Sequence, residues 1–516
     1  MVFGFAGRFM LSGVGSLFLL TSVQGQLARE WDYCRGETPP GWETQIRNCT
    51  ILIESGRETR KNRSIAYINR GLAHYSLGAY DRAISDYSEA LYDDPNSAIA
   101  YHNRALVHRR QNRQDDAIAD ATQALRLDPR YSSAHIIRGN AYHELGQHDR
   151  AIAEYNIAIR LKPDHLGYYN RGLSYYSKKN LDQAIADYDA SLRLNPRYAL
   201  SIGNRGLAYY DKGNLDKALS DYNESLRLDP NQPIVLSNRG LIFTLRKDYD
   251  RSISDYDEAL RLKPDYAIAV YNRSIAYKNK KDYDRALSDL NESLRLDPKF
   301  TDAYVERGIE HYYRRDYDRA LSDLNEASRL SPRNHLAFNV RGLVYAARKE
   351  YDKAISEYSE AIRLDPKFAT AFRNRASVHY NKKDYKSQIA DLSAAIQLDP
   401  KDAESWNSRC WSKAITASDL PGALTDCDRS LQLDAKNSSA LDSRGFVYFR
   451  LNRFDEAIKD FDAAIAIDPK HAESLYVRGL AKLKKGDKTA GDADIAAAKA
   501  LKKDVAEEYE GYGVRP

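Results

Sequence analysis

Thirteen arginines stand at near-constant spacing: Arg70, Arg104, Arg138, Arg171, Arg205, Arg239, Arg273, Arg307, Arg341, Arg375, Arg409, Arg444 and Arg478. Each is followed sixteen residues later (seventeen after Arg409) by an acid, from Asp86, Asp120 and Glu154 through Asp426, Asp460 and Asp494. A planar guanidinium can hold a carboxylate with two parallel bonds, or grip a phosphate. Because every arginine comes with its own acid, the pattern reads as an ion pair rebuilt at each step. A free arginine ladder for phosphate or acidic sugars is disfavoured. Seven of these arginines follow an asparagine: Asn69, Asn103, Asn170, Asn204, Asn238, Asn272 and Asn374. A carboxamide both donates and accepts, so a row of them can pair with peptide units whatever the side chains.

Other chemistry is scarce. His74, His108, His311 and His379 stand where most other repeats carry a packing tyrosine, and read as structural. His143 and His148 are one residue too far apart for the zinc-protease motif and straddle a turn. Asp-Tyr-Asp runs such as Asp248–Asp250 lack the glycine and spacing of a calcium loop. There is no phosphate loop and no serine elbow. The expectation is a non-enzyme with no cofactor and no metal.

The elements that position these residues are set by proline. Pro95, Pro129, Pro163, Pro196, Pro230, Pro264, Pro298, Pro332, Pro366, Pro400 and Pro469 recur at 34-residue steps, with one step of 33 and a final gap of 69. Ala435 fills the missing place inside that gap. A period of this size means one supersecondary unit stacked many times. With the proline at position 32, the first repeat begins at Ser64, the arginines fall at position 7 and their acids at position 23. Small and apolar residues recur at 4, 8, 11, 20, 24 and 27. Examples are Tyr67, Gly71, Ala83, Tyr87 and Ala90, and Leu441, Gly445, Tyr448, Ala457, Phe461 and Ala464.

These positions resemble the signature of the tetratricopeptide repeat, over roughly Ser64 to Lys503. The Asn-Arg-Gly style resembles exported bacterial members of that family. The resemblance implies an all-α, right-handed superhelical solenoid of twelve helix-turn-helix repeats and a degenerate thirteenth. Small residues at 8, 20 and 27 let the helices approach, and aromatics at 4, 11 and 24 fill the space between repeats. Gly or Asn in the mid-repeat turn, as in Lys212-Gly213-Asn214, ends the first helix, and Asp-Pro ends the second.

The expected organisation is a signal peptide at 1–25 and a capping segment with one helix at 26–63. Twelve repeats follow at 64–471, with the degenerate repeat and a capping helix at 472–516. The first 25 residues hold a single charge, Arg8, before the apolar stretch Phe9–Val23. That stretch is short for a membrane span and suits a cleavable signal, with Val23 and Gly25 before the cut. An uncleaved anchor is the alternative; otherwise no span is expected, and the location is periplasmic or secreted. Four cysteines in an exported chain favour disulfides over metal or nucleophilic roles, four buried thiols being the other reading. Cys34 then staples the amino-terminal segment to a helix at Glu43–Ser55 through Cys49. Cys410 and Cys427, at positions 8 and 24, face each other across one helix pair. That repeat carries an extra residue near Leu420-Pro421. The tail of the last repeat, running into Asp504–Glu510, reads as a solvating cap.

In the family, positions 2, 5, 6, 9, 12 and 13 line a concave groove. The asparagines at position 6 resemble the asparagine ladder of the helical domain of eukaryotic O-GlcNAc transferase. Leucines at position 9 and tyrosines at 5 or 12, among them Tyr169, Tyr176, Tyr210 and Tyr271, complete an amphipathic floor. The row is most uniform from Asn170 to Asn272. The chaperone-tail carboxylate clamp is excluded, because position 5 of the first repeats holds Ile68, His102, Ile136, Tyr169 and Gly203. The implied function is a scaffold for a protein or peptide partner. The other class is a structural docking subunit of an envelope polymer-export assembly, with a glycan-binding groove as its variant. Nucleic-acid reading is disfavoured by a net charge of only +5 and by export. Partner identity and oligomeric state are not legible.

Overall fold

The computed structural model describes residues 28–36 and 41–515. The signal-peptide reading, which rests on residues 1–25, lies outside them. Every regular element among the described residues is a helix. Two compact bodies are present, one ending at Pro264 and one starting at Asp265.

Each repeat is a pair of antiparallel helices, and the fifth shows why. Its first helix, Ala199–Asp211, buries Ser201, Ile202, Gly203, Gly206 and Ala208. Gly213 then turns the chain with a left-handed φ of 78°. The Asn214 side chain accepts from the Lys217 amide and caps the second helix, Leu215–Leu228. That helix buries Ala218, Asp221, Tyr222, Ser225 and Leu226, a stripe at helical spacing, and stops before Pro230. Tyr222 lies over Gly206 of its own repeat and also packs with Val235 and Ile242 of the next. Position 24 therefore joins the two helices of a repeat as well as filling the space between repeats.

Gly78, Asn112, Gly146, Gly213, Asn452 and Gly486 hold the left-handed turn position as expected, and six other turns depart from glycine and asparagine. Lys179, Lys247, Lys281, Arg315, Lys349 and Lys383 hold the left-handed conformation, with φ between 59° and 66°. The helix-closing bonds form whichever residue is present, as from the Lys247 amide to Thr244 O at 3.0 Å. Position 14, just before this residue, reaches back to the repeat before. Arg314 bonds Asp284 at 2.7 Å, Arg348 bonds Asp318 at 2.9 Å, and Lys178 pairs with Asp149.

At the amino terminus the lone helix runs Trp42–Glu54, within one residue of its expected bounds. It stands where a preceding repeat's second helix would be. Gln45 donates to Asn69 O, and Thr50 Oγ1 accepts from Arg70 at 3.0 Å. Residues 28–35 are helical and pack on it. The sulfurs of Cys34 and Cys49 are at bonding distance, with Cα atoms 4.8 Å apart. Cys410 and Cys427 are likewise at bonding distance, with Cα atoms 5.4 Å apart. The extra residue of their repeat falls in the turn after Thr416, where Ala417 is left-handed and Asp419 caps Gly422.

The carboxyl end differs from expectation. The helix Lys488–Leu501 buries only Gly491 and Ala498 and leaves one face exposed, as a cap should, but it does not continue. Lys503 stands where other repeats have proline, and the ammonium of Lys502 just before it bonds both Glu473 and Glu508. A separate helix, Val505–Gly511, folds back there. Tyr509 is fully buried, 5.4 Å from the Phe446 ring and 5.5 Å from that of Tyr476. Segment 504–510 is a plug held by aromatic burial rather than a solvating tail.

Candidate functional site

All thirteen arginines meet their acids. Arg239 Nε and Nη2 hold the two oxygens of Asp255 at 2.8 and 2.7 Å. Arg375 holds Asp391 with the same pair of distances, and Arg341 Nη2 meets Glu357 at 2.7 Å. Many of these arginines also cover the position-4 aromatic, as Arg307 does Tyr304 at 5.5 Å. The third nitrogen leaves the repeat. Nη1 of Arg239 bonds Asn223, that of Arg307 bonds Asn291, and that of Arg205 bonds Asp189. The guanidinium thus closes its own helix pair and ties it to the repeat before. Each guanidinium is engaged by the carboxylate of its own repeat, so the row is architecture.

The four histidines at position 11 join the same pairs. Their Nε2 atoms lie 3.6–3.8 Å from Asp86, Asp120, Asp323 and Asp391. Burial lowers the pKa of His74, His108 and His311. The His143 and His148 rings lie 5.0 Å apart across their turn. No group of three or more His, Cys, Asp or Glu that could hold a metal exists among the described residues.

The asparagines fall into two classes. Asn204 Nδ2 donates to Leu200 O at 2.9 Å and lies 3.2 Å from the Tyr169 hydroxyl, and Asn374 Nδ2 donates to Asn339 Oδ1 at 2.9 Å. The side chains of Asn69, Asn103, Asn170 and Asn272 are half-buried and make no hydrogen bond to described residues. Asn238 is half-buried as well. In each body the bonded members show that position 6 faces the first helix of the neighbouring repeat.

The tyrosines are more committed than expected. Tyr169 packs edge-on to Tyr198 at 5.2 Å, and burial pushes its hydroxyl up to about 12. Tyr271 sits 4.8 Å from Phe300 and is also raised by burial. Tyr176 donates to the Asp211 carboxylate at 2.7 Å, and Tyr210 is half-buried. At Tyr169 and Tyr271 position 5 is therefore inter-repeat packing, while the position-12 rings of Tyr176 and Tyr210 stay half-buried.

One cavity escaped the sequence reading. About 700 Å³ opens among the first helices of repeats ten to twelve, Ala369–Asn381, Ala403–Thr416 and Ser438–Arg450, and the Val505–Gly511 plug. Arg373, Asn407 and Asp442 line it, all at position 5. The signal was present, since Asn339, Arg373, Asn407 and Asp442 make an unbroken polar run where the first five repeats hold isoleucine, histidine, tyrosine or glycine.

Models of the tetratricopeptide repeat match residues 102–165, 245–299, 305–367, 350–403 and 166–198. A further TPR repeat model matches 71–112, 206–245 and 445–486. No curated protein matches. Among solved structures, the chain is similar to the APC/C hetero-tetramer Cut9–Hcn1, at 15% identity and TM-score 0.46 over 89% of this chain and 93% of that one. It is similar to yeast Tom70 at 19% and 0.37, covering 87% and 100%. A tetratricopeptide repeat protein from Parabacteroides merdae gives 20% and 0.40, covering 48% and 98%. No described helix is long and apolar enough to cross a membrane. The thirteen helix pairs and the matched repeats agree, and the chain belongs to the tetratricopeptide-repeat family.

Proposed function

We propose that this chain is a non-catalytic interaction scaffold that binds an extended peptide segment of a partner protein along its first helices. One observation carries the reading: Asn69, Asn103, Asn170 and Asn272 keep half-buried carboxamides with no hydrogen-bond partner among the described residues, while the arginines are held by their acids. Unpaired amides at a regular repeat can exchange hydrogen bonds with backbone N–H and C=O groups. Leu173, Leu207 and Leu241 at position 9 stay half-buried beside them and add apolar contact without selecting a sequence.

We further infer that the chain is an exported bacterial-type member working in an oxidising compartment. Its two buried cysteine pairs at bonding distance support this, since such pairs persist outside the reducing cytosol.

The test is affinity capture from envelope extract with two baits. One is the chain from Gln26; the other carries Asn69, Asn103 and Asn170 changed to alanine and is verified as folded by circular dichroism. A protein retained by the first and lost from the second supports the groove. Equal retention by both places binding elsewhere and reduces the asparagines to architecture.

A further inference from the structure

We propose that the cavity in the carboxy-terminal body is a separate ligand site that takes a primary ammonium group on a short aliphatic chain. The reading is independent of peptide binding by the asparagine row. Its volume, about 700 Å³, is that of a small-molecule pocket.

The lining is short of cations. Glu404, Asp442, Glu473 and Glu508 face the cavity against one guanidinium, that of Arg373. Arg373 is already held by Asp402 at 3.0 Å. Lys502 is likewise held between Glu473 and Glu508 at the rim. An anionic ligand would meet a surplus of carboxylates and be repelled.

One acceptor in the wall lacks a donor, and a buried carboxylate beside it has only a hydroxyl. Asp442 is only 6% exposed, and the Ser474 hydroxyl donates to its Oδ1 at 2.6 Å. No lysine or arginine among the described residues pairs with it; the nearest ring nitrogen, His471 Nδ1, is 3.9 Å away. One repeat earlier at the same position, Asn407 Oδ1 is buried and receives no hydrogen bond. A buried acceptor left without a donor costs about 1–3 kcal/mol, so a ligand that brings donors is favoured. An ammonium carries three donors and no acceptor, which matches this wall. Tyr380, Leu392 and Trp411 supply apolar surface for the methylenes that carry it.

The electrostatics agree. Burial raises the Asp442 carboxyl, with His471 and Ser474 facing it from the next repeat and Glu473, Glu508 and Tyr509 adding negative or polar groups around it. A bound cation would favour the ionised form and displace the proton. Affinity for an amine should therefore rise with pH where Asp442 titrates.

Calorimetric titration of the full chain tests this with cadaverine, with Nα-acetyl-lysine amide, and with glutarate as the anionic counterpart. Saturable binding of an amine and none of glutarate is expected. Tighter binding of cadaverine points to a free amine, and tighter binding of the amide to a lysine side chain. Asp442→Asn should weaken the amine roughly tenfold or more. Asn407→Asp, which adds a carboxylate without adding bulk, should strengthen it. Absence of saturable amine binding, equal binding of glutarate, or unchanged affinity in Asp442→Asn would overturn the proposal. If Asp442→Asn does not fold, weaker amine binding by Asn407→Asp overturns it instead.

Discussion

Gly71 and Tyr87 touch across the two helices of the first repeat so closely that a Cβ at Gly71 would stand 2.7 Å from the tyrosine ring. Gly139 with Tyr155, Gly172 with Tyr188 and Gly342 with Tyr358 repeat the relationship within a tenth of an ångström. Where position 8 carries a side chain, position 24 is smaller: Ala105 faces Ala121, Ser274 faces Leu290, and Ala376 faces Leu392. The two positions share one volume. Gly206→Ala should lower stability by about 1–3 kcal/mol through overpacking, and adding Tyr222→Leu should recover part of it. Denaturant unfolding of the three variants checks both signs; additive losses would show that the volumes are not coupled.

Arg239 and Asp255 form a pair of which the acid is only 8% exposed in its side chain. Arg239→Leu should cost about 3 kcal/mol by leaving that carboxylate alone, and adding Asp255→Leu should restore much of it. The measurement is a double-mutant cycle by thermal melting. A coupling near zero would return the arginines to the pool of ligand-binding candidates.

Lys247 sits at φ 61°, a conformation that a residue with a Cβ adopts at a cost. Lys247→Gly should stabilise the chain by about 0.5–1 kcal/mol, the strain relieved exceeding the entropy added to the unfolded state. A lower melting temperature for the glycine variant would show that the lysine side chain contributes more than its backbone costs.

Tyr509 holds the carboxyl-terminal helix against Trp411, Phe446 and Tyr476. Tyr509→Ala should cost about 3–4 kcal/mol in the carboxy-terminal body and release the plug. Trp411 fluorescence should shift to the red as its indole becomes wet. No spectral change would mean that the helix stays docked without its anchor.

Acid should destabilise the amino-terminal body through its buried histidines. Burial lowers His102 from 6.5 to about 4, and lowers His74 and His108 as well. A folded-state pKa below the unfolded value means that the unfolded chain binds more protons. Stability is then full above about pH 6.5 and is lost as pH falls toward 4. His102→Phe should flatten melting temperature against pH over that window, and an unchanged slope would assign it to other groups.

Much of this was legible because a repeat multiplies every signal. The helix pairs, the position-8 contact and the Arg–acid pairs follow from residue type at fixed offset, and thirteen copies make chance agreement negligible. Arg239 Nη1 reaching back to Asn223 was not legible, because its register depends on how one helix pair sets against the next. The left-handed lysines were hidden for another reason: tertiary packing overrides the local preference for glycine. Tyr509 was misread because an Ala-rich, charged tail resembles a cap, and only the contacts show one aromatic drawn into the core. The cavity around Asn407 and Asp442 was missed because position 5 was read for tyrosines and for a carboxylate clamp, and its polar run in repeats nine to twelve was not followed.

The central claim is that the unpaired asparagines carry peptide binding. Panning a random linear-peptide library on the folded chain, then measuring the selected peptides against a variant with Asn69, Asn103 and Asn170 changed to alanine, tests it most directly. The account predicts selected peptides with little side-chain consensus and a loss of roughly tenfold or more in the variant. Peptides that bind both proteins equally would contradict it.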